Sequence, residues 1–219
     1  MLDAKSGDLL VRAARKIVTK IAKERHAAHS AQLIDEAAER NMQKSGGEKL
    51  RMPRGVFVTV KRHSDGSLRG CIGLIHPTPL WEAVQRAAVL AAFGDCRFLP
   101  LSAGELNDVV FEVSVMTEPV LVEGHSAAER REKIKIGRDG LIIINGGYSG
   151  LLLPQVPVEQ GWAVDEFLDN LCCKAGLPAG ALSDNGTNLL KFECQVFAEE
   201  DPGGKIAEMK LAKRAKAEK

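Results

Sequence analysis

Residues 55–74 read GVFVTVKRHSDGSLRGCIGL, and they decide the fold. Gly55 to Lys61 is rich in β-branched and aromatic residues, which fit a pleated, half-buried surface. His63-Ser64-Asp65-Gly66 follows as a turn, with Asp65-Gly66 its strongest signal. Leu68 to Leu74 then returns as the partner strand. A hairpin of this kind commits the sheet to antiparallel pairing.

The flanking sequence extends that reading. Leu10, Ala14, Ile17, Val18 and Ile21 recur at helical spacing and predict a helix over 8–24. A charged helical stretch over 31–44 ends at Ser45-Gly46-Gly47. Thr78-Pro79 opens another helix, with Thr78 as cap, a stripe of Leu80, Val84, Ala87, Ala88 and Ala91, and Gly94 as stop. Ser102 and Glu105 have capping-box spacing, as do Ser126 and Glu129. Val109 to Met116 alternates as a strand, placing Val109, Phe111, Val113 and Val115 on one face.

Further on, Leu141 to Asn145 and Leu151 to Leu153 read as strands joined by the loop Gly146-Gly147-Tyr148-Ser149-Gly150. Val164, Leu168, Leu171, Cys172 and Ala175 mark a helix capped by Gly176. Leu189 to Phe197 reads as one closing strand. The expected class is α+β: a mostly antiparallel sheet with flanking helices, in a larger and a smaller subdomain packed together over 1–204. Residues 205–219 read as a basic tail, frayed or an isolated helix.

Composition narrows the function classes. Thirty basic and 29 acidic side chains leave a formal charge of +1, so no global field draws in nucleic acid. A nucleic-acid role would rest on the tail lysines and ranks last. No run of about 18 apolar residues crosses a membrane, and the N-terminal segment lacks a secretory apolar stretch; the expected compartment is the cytoplasm. Cysteines at 71, 96, 172, 173 and 194 are odd in number and form no Cys-x-x-Cys pair. Reduced thiols are expected, with no four-cysteine zinc site. His63 and His76 bracket Cys71 at a spacing that matches no metal-ligand pattern, so no metal is assigned.

Chemistry concentrates in Leu68-Arg69-Gly70-Cys71-Ile72-Gly73. On an ideal strand Arg69 and Cys71 project from one face, and Leu68 and Ile72 from the other, as anchors. A guanidinium beside a thiol favours the reactive thiolate. Gly70 and Gly73 remove bulk and admit another backbone or a ligand. The competing reading makes Cys71 a small packed residue and the glycines bulge markers in a twisted sheet.

The same six residues resemble the signature of the AMMECR family, named for the Alport syndrome, mental retardation, midface hypoplasia and elliptocytosis chromosomal region. The likeness continues through Ala91-Ala92-Phe93-Gly94-Asp95-Cys96-Arg97-Phe98, Phe111-Glu112-Val113-Ser114-Val115, Gly150-Leu151-Leu152-Leu153-Pro154-Gln155-Val156 and Leu171-Cys172-Cys173-Lys174-Ala175-Gly176-Leu177. It covers most of residues 8–200. It implies an α+β fold with two subdomains and a functional role for the signature, but no settled reaction and no known cofactor. It also implies association with a Memo-like protein and a radical S-adenosylmethionine enzyme. One departure stands out: Cys96 occupies a place where relatives carry proline, so the family pattern needs no thiol there.

Two functions follow. In the first, the protein is an enzyme of a modification pathway, with Cys71 as nucleophile or acid/base, activated by Arg69 and by Glu112. In the second, it is a non-catalytic module that docks a partner or ligand through Leu68–Gly73. Arg97 and Gln155 join Gly70 and Gly73 as binding candidates in either case. Asp95 and Arg97 also read as a structural ion pair at a helix end.

Overall fold

A computed structural model describes residues 1–24, 48–75, 78–124, 126–184 and 186–209. The helix expected over 31–44, His76, and the tail beyond 209 lie outside the described residues. The described elements run α1 (Ala4–Glu24), α2 (Glu48–Arg51), β1 (Val56–Arg62), β2 (Leu68–Leu74), α3 (Leu80–Phe93), β3 (Val109–Met116) and β4 (Val120–Leu121). They continue with α4 (Ala127–Glu132), β5 (Gly140–Asn145), β6 (Tyr148–Leu152), α5 (Gln155–Gln160), α6 (Val164–Lys174), β7 (Thr187–Phe192), β8 (Cys194–Glu199) and β9 (Ile206–Met209). A 3₁₀ turn, Ala103–Asn107, precedes β3. The fold class is α+β, as expected.

Two compact units form. The first comprises Met1–Val115 and Gln195–Met209. Its sheet has the order β2-β1-β3-β8-β9, and β1 pairs antiparallel with both β2 and β3. Val56, Val58 and Val60 on β1 and Phe111 and Val113 on β3 are fully buried, in one core with the apolar stripes of α1 and α3. Burial of each such side chain contributes about 1.5–3 kcal/mol. The predicted stripe of α3 and the predicted valine face of β3 both lie in this core.

The second unit, Met116–Cys194, holds the sheet β4-β7-β5-β6. Leu141 and Ile143 of β5 share its core with Phe167 and Leu171 of α6. Ser126 caps α4 by accepting the Glu129 N–H at 3.2 Å, as its spacing predicts. Among the described residues, no helix is long and apolar enough to cross a membrane.

Several boundaries differ from the sequence reading. The helix after Thr78 begins at Leu80 with Pro79, not Thr78, as its N-cap; the proline ring offers no acceptor, and the Leu80 N–H donates to the Met52 carbonyl at 3.1 Å. The β5–β6 connection has two residues, not five: Asn145 pairs with Tyr148, and Gly146 takes the left-handed turn with φ +57. The expected closing strand over 189–197 is two strands in two sheets. It breaks at Glu193, whose N–H donates to Thr117 Oγ1 at 2.9 Å while its carbonyl accepts the Thr117 N–H at 2.8 Å. The first part of the expected tail is strand: Ile206–Met209 pairs with β8 as β9.

Candidate functional site

Strand β2 forms over the predicted residues, but its alternation is interrupted. Gly70 faces Val60, whereas Leu68 faces Lys61, so Arg69 is the extra residue of a β-bulge. The bulge separates the expected pair. Arg69 is 5 % exposed, and its Nε donates to Glu105 Oε1 at 2.7 Å. Its Nη2 donates to the Leu99 carbonyl at 2.9 Å. Cys71 keeps its place in the regular register opposite Thr59, which itself faces Glu112. The anchoring pair changes too: Ile72 packs against the core, while Leu68 is 38 % exposed.

Each glycine of the signature has a packing role. A Cβ on Gly70 would lie 2.0 Å from the Ala91 carbonyl oxygen of α3, so only glycine lets that helix approach. At Gly73 a Cβ would lie 2.1 Å from the Phe57 ring. The close approach expected at these positions is therefore of protein to protein.

β2 is an edge strand, and its outward groups at Cys71 are covered by side chains. The Cys71 N–H donates to Asp95 Oδ2 at 2.9 Å, and Arg97 Nη2 donates to the Cys71 carbonyl at 3.3 Å. Asp95 and Arg97 also pair with each other at 2.6 Å. The ion pair read from their spacing thus exists, and it closes the sheet edge. Hydrogen bonds from Arg97 hold the Asp95 carboxyl well below the usual carboxylate range. Glu105 is held down to about 2, chiefly by Arg69, and it accepts the Ser102 N–H of the predicted capping box.

The thiol of Cys71 lies in a polar row across β2, β1 and β3. Thr59 Oγ1 donates to Cys71 Sγ at 3.2 Å. Glu112 is 4 % exposed and pairs with Lys61 at 3.1 Å. Glu112, expected to act on Cys71 together with Arg69, shares the row of Cys71, whereas Arg69 at the bulge pairs with Glu105. Ser114, two residues along β3, is 1 % exposed, and its Oγ has no hydrogen-bond partner among the described residues. Burial pushes the Cys71 thiol above its usual pKa, while the Thr59 hydrogen bond and Arg97 pull in the opposite direction. The arrangement favours a neutral thiol, not the thiolate expected beside Arg69.

Gln155 lies in the second unit as the first residue of α5, buried, with its Oε1 unpartnered among the described residues. As members of the site, Thr59, Lys61 and Glu105 escaped the sequence reading, which had Glu105 only as a cap. Thr59 and Lys61 are the polar positions on one face of β1, a signal legible in the alternation. Glu105 meets Arg69 from 36 residues away, which no local pattern encodes. Among the described residues, no cluster of three or more histidine, cysteine or carboxylate groups suits a metal ion.

A two-unit α+β protein with its signature on an edge strand is the class that fold and site define. The chain belongs to the AMMECR1 family, whose model matches residues 11–197. It is 44% identical to the protein MK0488 of Methanopyrus kandleri over 213 residues, 96% of this chain and 97% of that one. It is 50% identical to the protein MJ0810 of Methanocaldococcus jannaschii over 159 residues, 72% of this chain and 79% of that one. The crystal structure of the uncharacterized protein PH0010 from Pyrococcus horikoshii matches with a TM-score of 0.82 at 42% identity, covering 95% of this chain and 98% of that one.

Proposed function

We propose that the chain is a binding module whose polar face, centred on Cys71, Thr59, Glu112 and Ser114, receives a polar ligand or partner group. The observation that carries this reading is the Ser114 hydroxyl, 1 % exposed and without a partner among the described residues, on the same face as the thiol. A buried hydroxyl that makes no hydrogen bond costs about 1–3 kcal/mol, which a ligand group recovers. Arg69 then serves the fold through Glu105, and Gly70 and Gly73 serve it through packing. Gln155, buried with its amide oxygen unpartnered among the described residues, is a separate binding candidate confined to the second unit. A Memo-like protein and a radical S-adenosylmethionine enzyme, which the family resemblance suggests, are the first partners to test, in the cytoplasm.

The test is the pH profile of Cys71 alkylation by iodoacetamide, read by peptide mass spectrometry. A midpoint above about 8.5, the ordinary thiol value, is expected. A midpoint below about 7 overturns the module in favour of an activated nucleophile. A second reading, Cys71 as a general acid, draws on the thiol itself: burial keeps it protonated, and Glu112 lies in the same row. Under it, Cys71→Ser retains ligand binding but abolishes turnover; under the module reading, no turnover exists to lose.

A further inference from the structure

Arg97 is anchored on one side and open on the other. A guanidinium has five N–H donors in a fixed fork. Three are engaged: Nε with Asp95 Oδ1 at 2.9 Å, and Nη2 with Asp95 Oδ2 at 2.6 Å and with the Cys71 carbonyl at 3.3 Å. The two Nη1 donors have no partner among the described residues, and the side chain is 53% exposed. Asp95, whose side chain is 4% exposed, acts as the buried half that fixes the orientation. The result is a pre-oriented donor pair on the main chain of the half-buried Cys71.

Arg69 supplies the contrast within the same segment. Its fork is turned inward, with its side chain 6% exposed and both oxygens of Glu105 on it. Lys61 is likewise taken by Glu112. Of these three cations around β2, Arg97 alone combines exposure with two unengaged donors on one nitrogen. A planar fork whose outer edge is free suits an oxyanion, which accepts both hydrogens of Nη1 or one of them with a neighbouring donor. The candidate for that second donor is the thiol of Cys71, the residue whose carbonyl Arg97 holds. The contact that places Arg97 at Cys71 is the hydrogen bond from Nη2 to its carbonyl at 3.3 Å, and the positive charge there favours the ionised thiol.

We infer that Arg97 Nη1 and the Cys71 thiol together recognise the oxyanion of a carboxylate or phosphate ligand, an assignment that rests on the binding-module reading and names the ligand's chemistry. Asp95 is a positioning residue in this site. It holds the guanidinium in place and leaves its outer edge to the ligand.

Two alkylating probes test this on the intact protein. Iodoacetate carries a carboxylate and iodoacetamide does not, so the ratio of their rates at one thiol reports anion recognition there. Cys173, exposed on α6, is the internal reference. At low ionic strength the iodoacetate-to-iodoacetamide ratio at Cys71 is expected to exceed that at Cys173 by about tenfold, through local enrichment of the anion. Arg97→Gln should bring the two ratios together. Arg97→Lys, which keeps the charge and loses the fork, should retain only part of the excess. Competition then separates the sources: protection of Cys71 from iodoacetamide by inorganic phosphate assigns a phosphate ligand, and protection by acetate assigns a carboxylate.

A Cys71 ratio no higher than that of Cys173 in the unmodified protein overturns the site, whatever the variants do. So does protection by neither anion. The module reading fails separately, by a low midpoint in the iodoacetamide profile, a measurement to which the ratio of the two probes does not contribute.

Discussion

The two faces of the first unit's sheet follow different rules. The face holding Val56, Val58, Val60, Phe111 and Val113 is uniformly apolar, buried in one core with α1 and α3. The opposite face carries Thr59, Lys61, Glu112 and Ser114 in the same strands, and Cys71 joins them from β2. Both faces hold well-buried residues, yet only one is made of hydrocarbon. Polar groups buried without complete pairing lower stability. The apolar face therefore maintains the fold, and the polar face is where binding is proposed. The signature belongs to both: Gly70 and Ile72 serve the apolar side, and Cys71 the polar one.

If that division is correct, mutations on the fold side should cost stability, and on the polar side neutral groups such as Thr59 should cost little. The largest effect is expected at the buried pair that anchors the bulge. Glu105→Ala leaves the Arg69 guanidinium, 6% exposed, without its carboxylate. Breaking a buried pair by removing one partner costs about 3–5 kcal/mol, and the 26% exposure of Glu105 places this case at about 3. Urea denaturation measures it. A loss below about 1 kcal/mol, the range of surface pairs, would move Arg69 out of the fold's machinery and back among the site candidates.

The two glycines sharpen the comparison. In Gly70→Ala the new methyl meets a helix carbonyl that cannot move without the whole of α3. In Gly73→Ala it meets the Phe57 ring, a side chain that can rotate away. The first should cost about 3 kcal/mol and the second about 1, within the range for overpacking. Equal losses from the two variants would show that α3 yields as readily as a ring.

Acid provides the next test. The folded Glu105 carboxyl sits at about 2, below its ordinary value of 4.5, so its protonation opposes folding. Its contribution is fully present above about pH 4.5 and is lost as the pH falls through about 2. Asp95 is shifted in the same direction. Stability should therefore decline over this window, by about 2 kcal/mol through Glu105. Glu105→Gln should flatten that part of the curve. An unchanged slope in the variant would separate Glu105 from the acid response.

These tests address contacts that the sequence did and did not reveal. The hairpin of β1 and β2, the valine face of β3 and the stripe of α3 were all legible, because alternation and helical spacing are local patterns. The bulge at Arg69 was not. It depends on how Leu68 and Gly70 meet Lys61 and Val60 across the hairpin, and a period-2 reading of one strand assumes it absent. That one residue turned an expected Arg69–Cys71 pair into two separate environments. Ser102-x-x-Glu105 revealed a cap, yet the second duty of Glu105 toward Arg69 arises only when the chain folds. The break at Glu193 was hidden for a similar reason: β7 and β8 are both apolar and alternating, and only their partners distinguish them.

The smallest effect is expected on the polar face, and it concerns the thiol. Thr59 Oγ1 donates to Cys71 Sγ, a hydrogen bond that favours the ionised form. Thr59→Val removes that donor at nearly constant volume, so burial acts with less opposition and the alkylation midpoint of Cys71 should rise. Stability should fall by only about 1 kcal/mol, since a single neutral hydrogen bond is lost. Glu112→Gln acts in the other direction: its charge raises the Cys71 pKa, and neutralising it should lower the midpoint. Opposite shifts from these two variants would identify the row as one electrostatic unit apart from the core, even though Glu112→Gln also takes the charge partner from Lys61 and costs stability on that account. Shifts of the same sign would mean that the variants alter the burial of Cys71 and not its charges, and the polar face would then be part of the fold's interior.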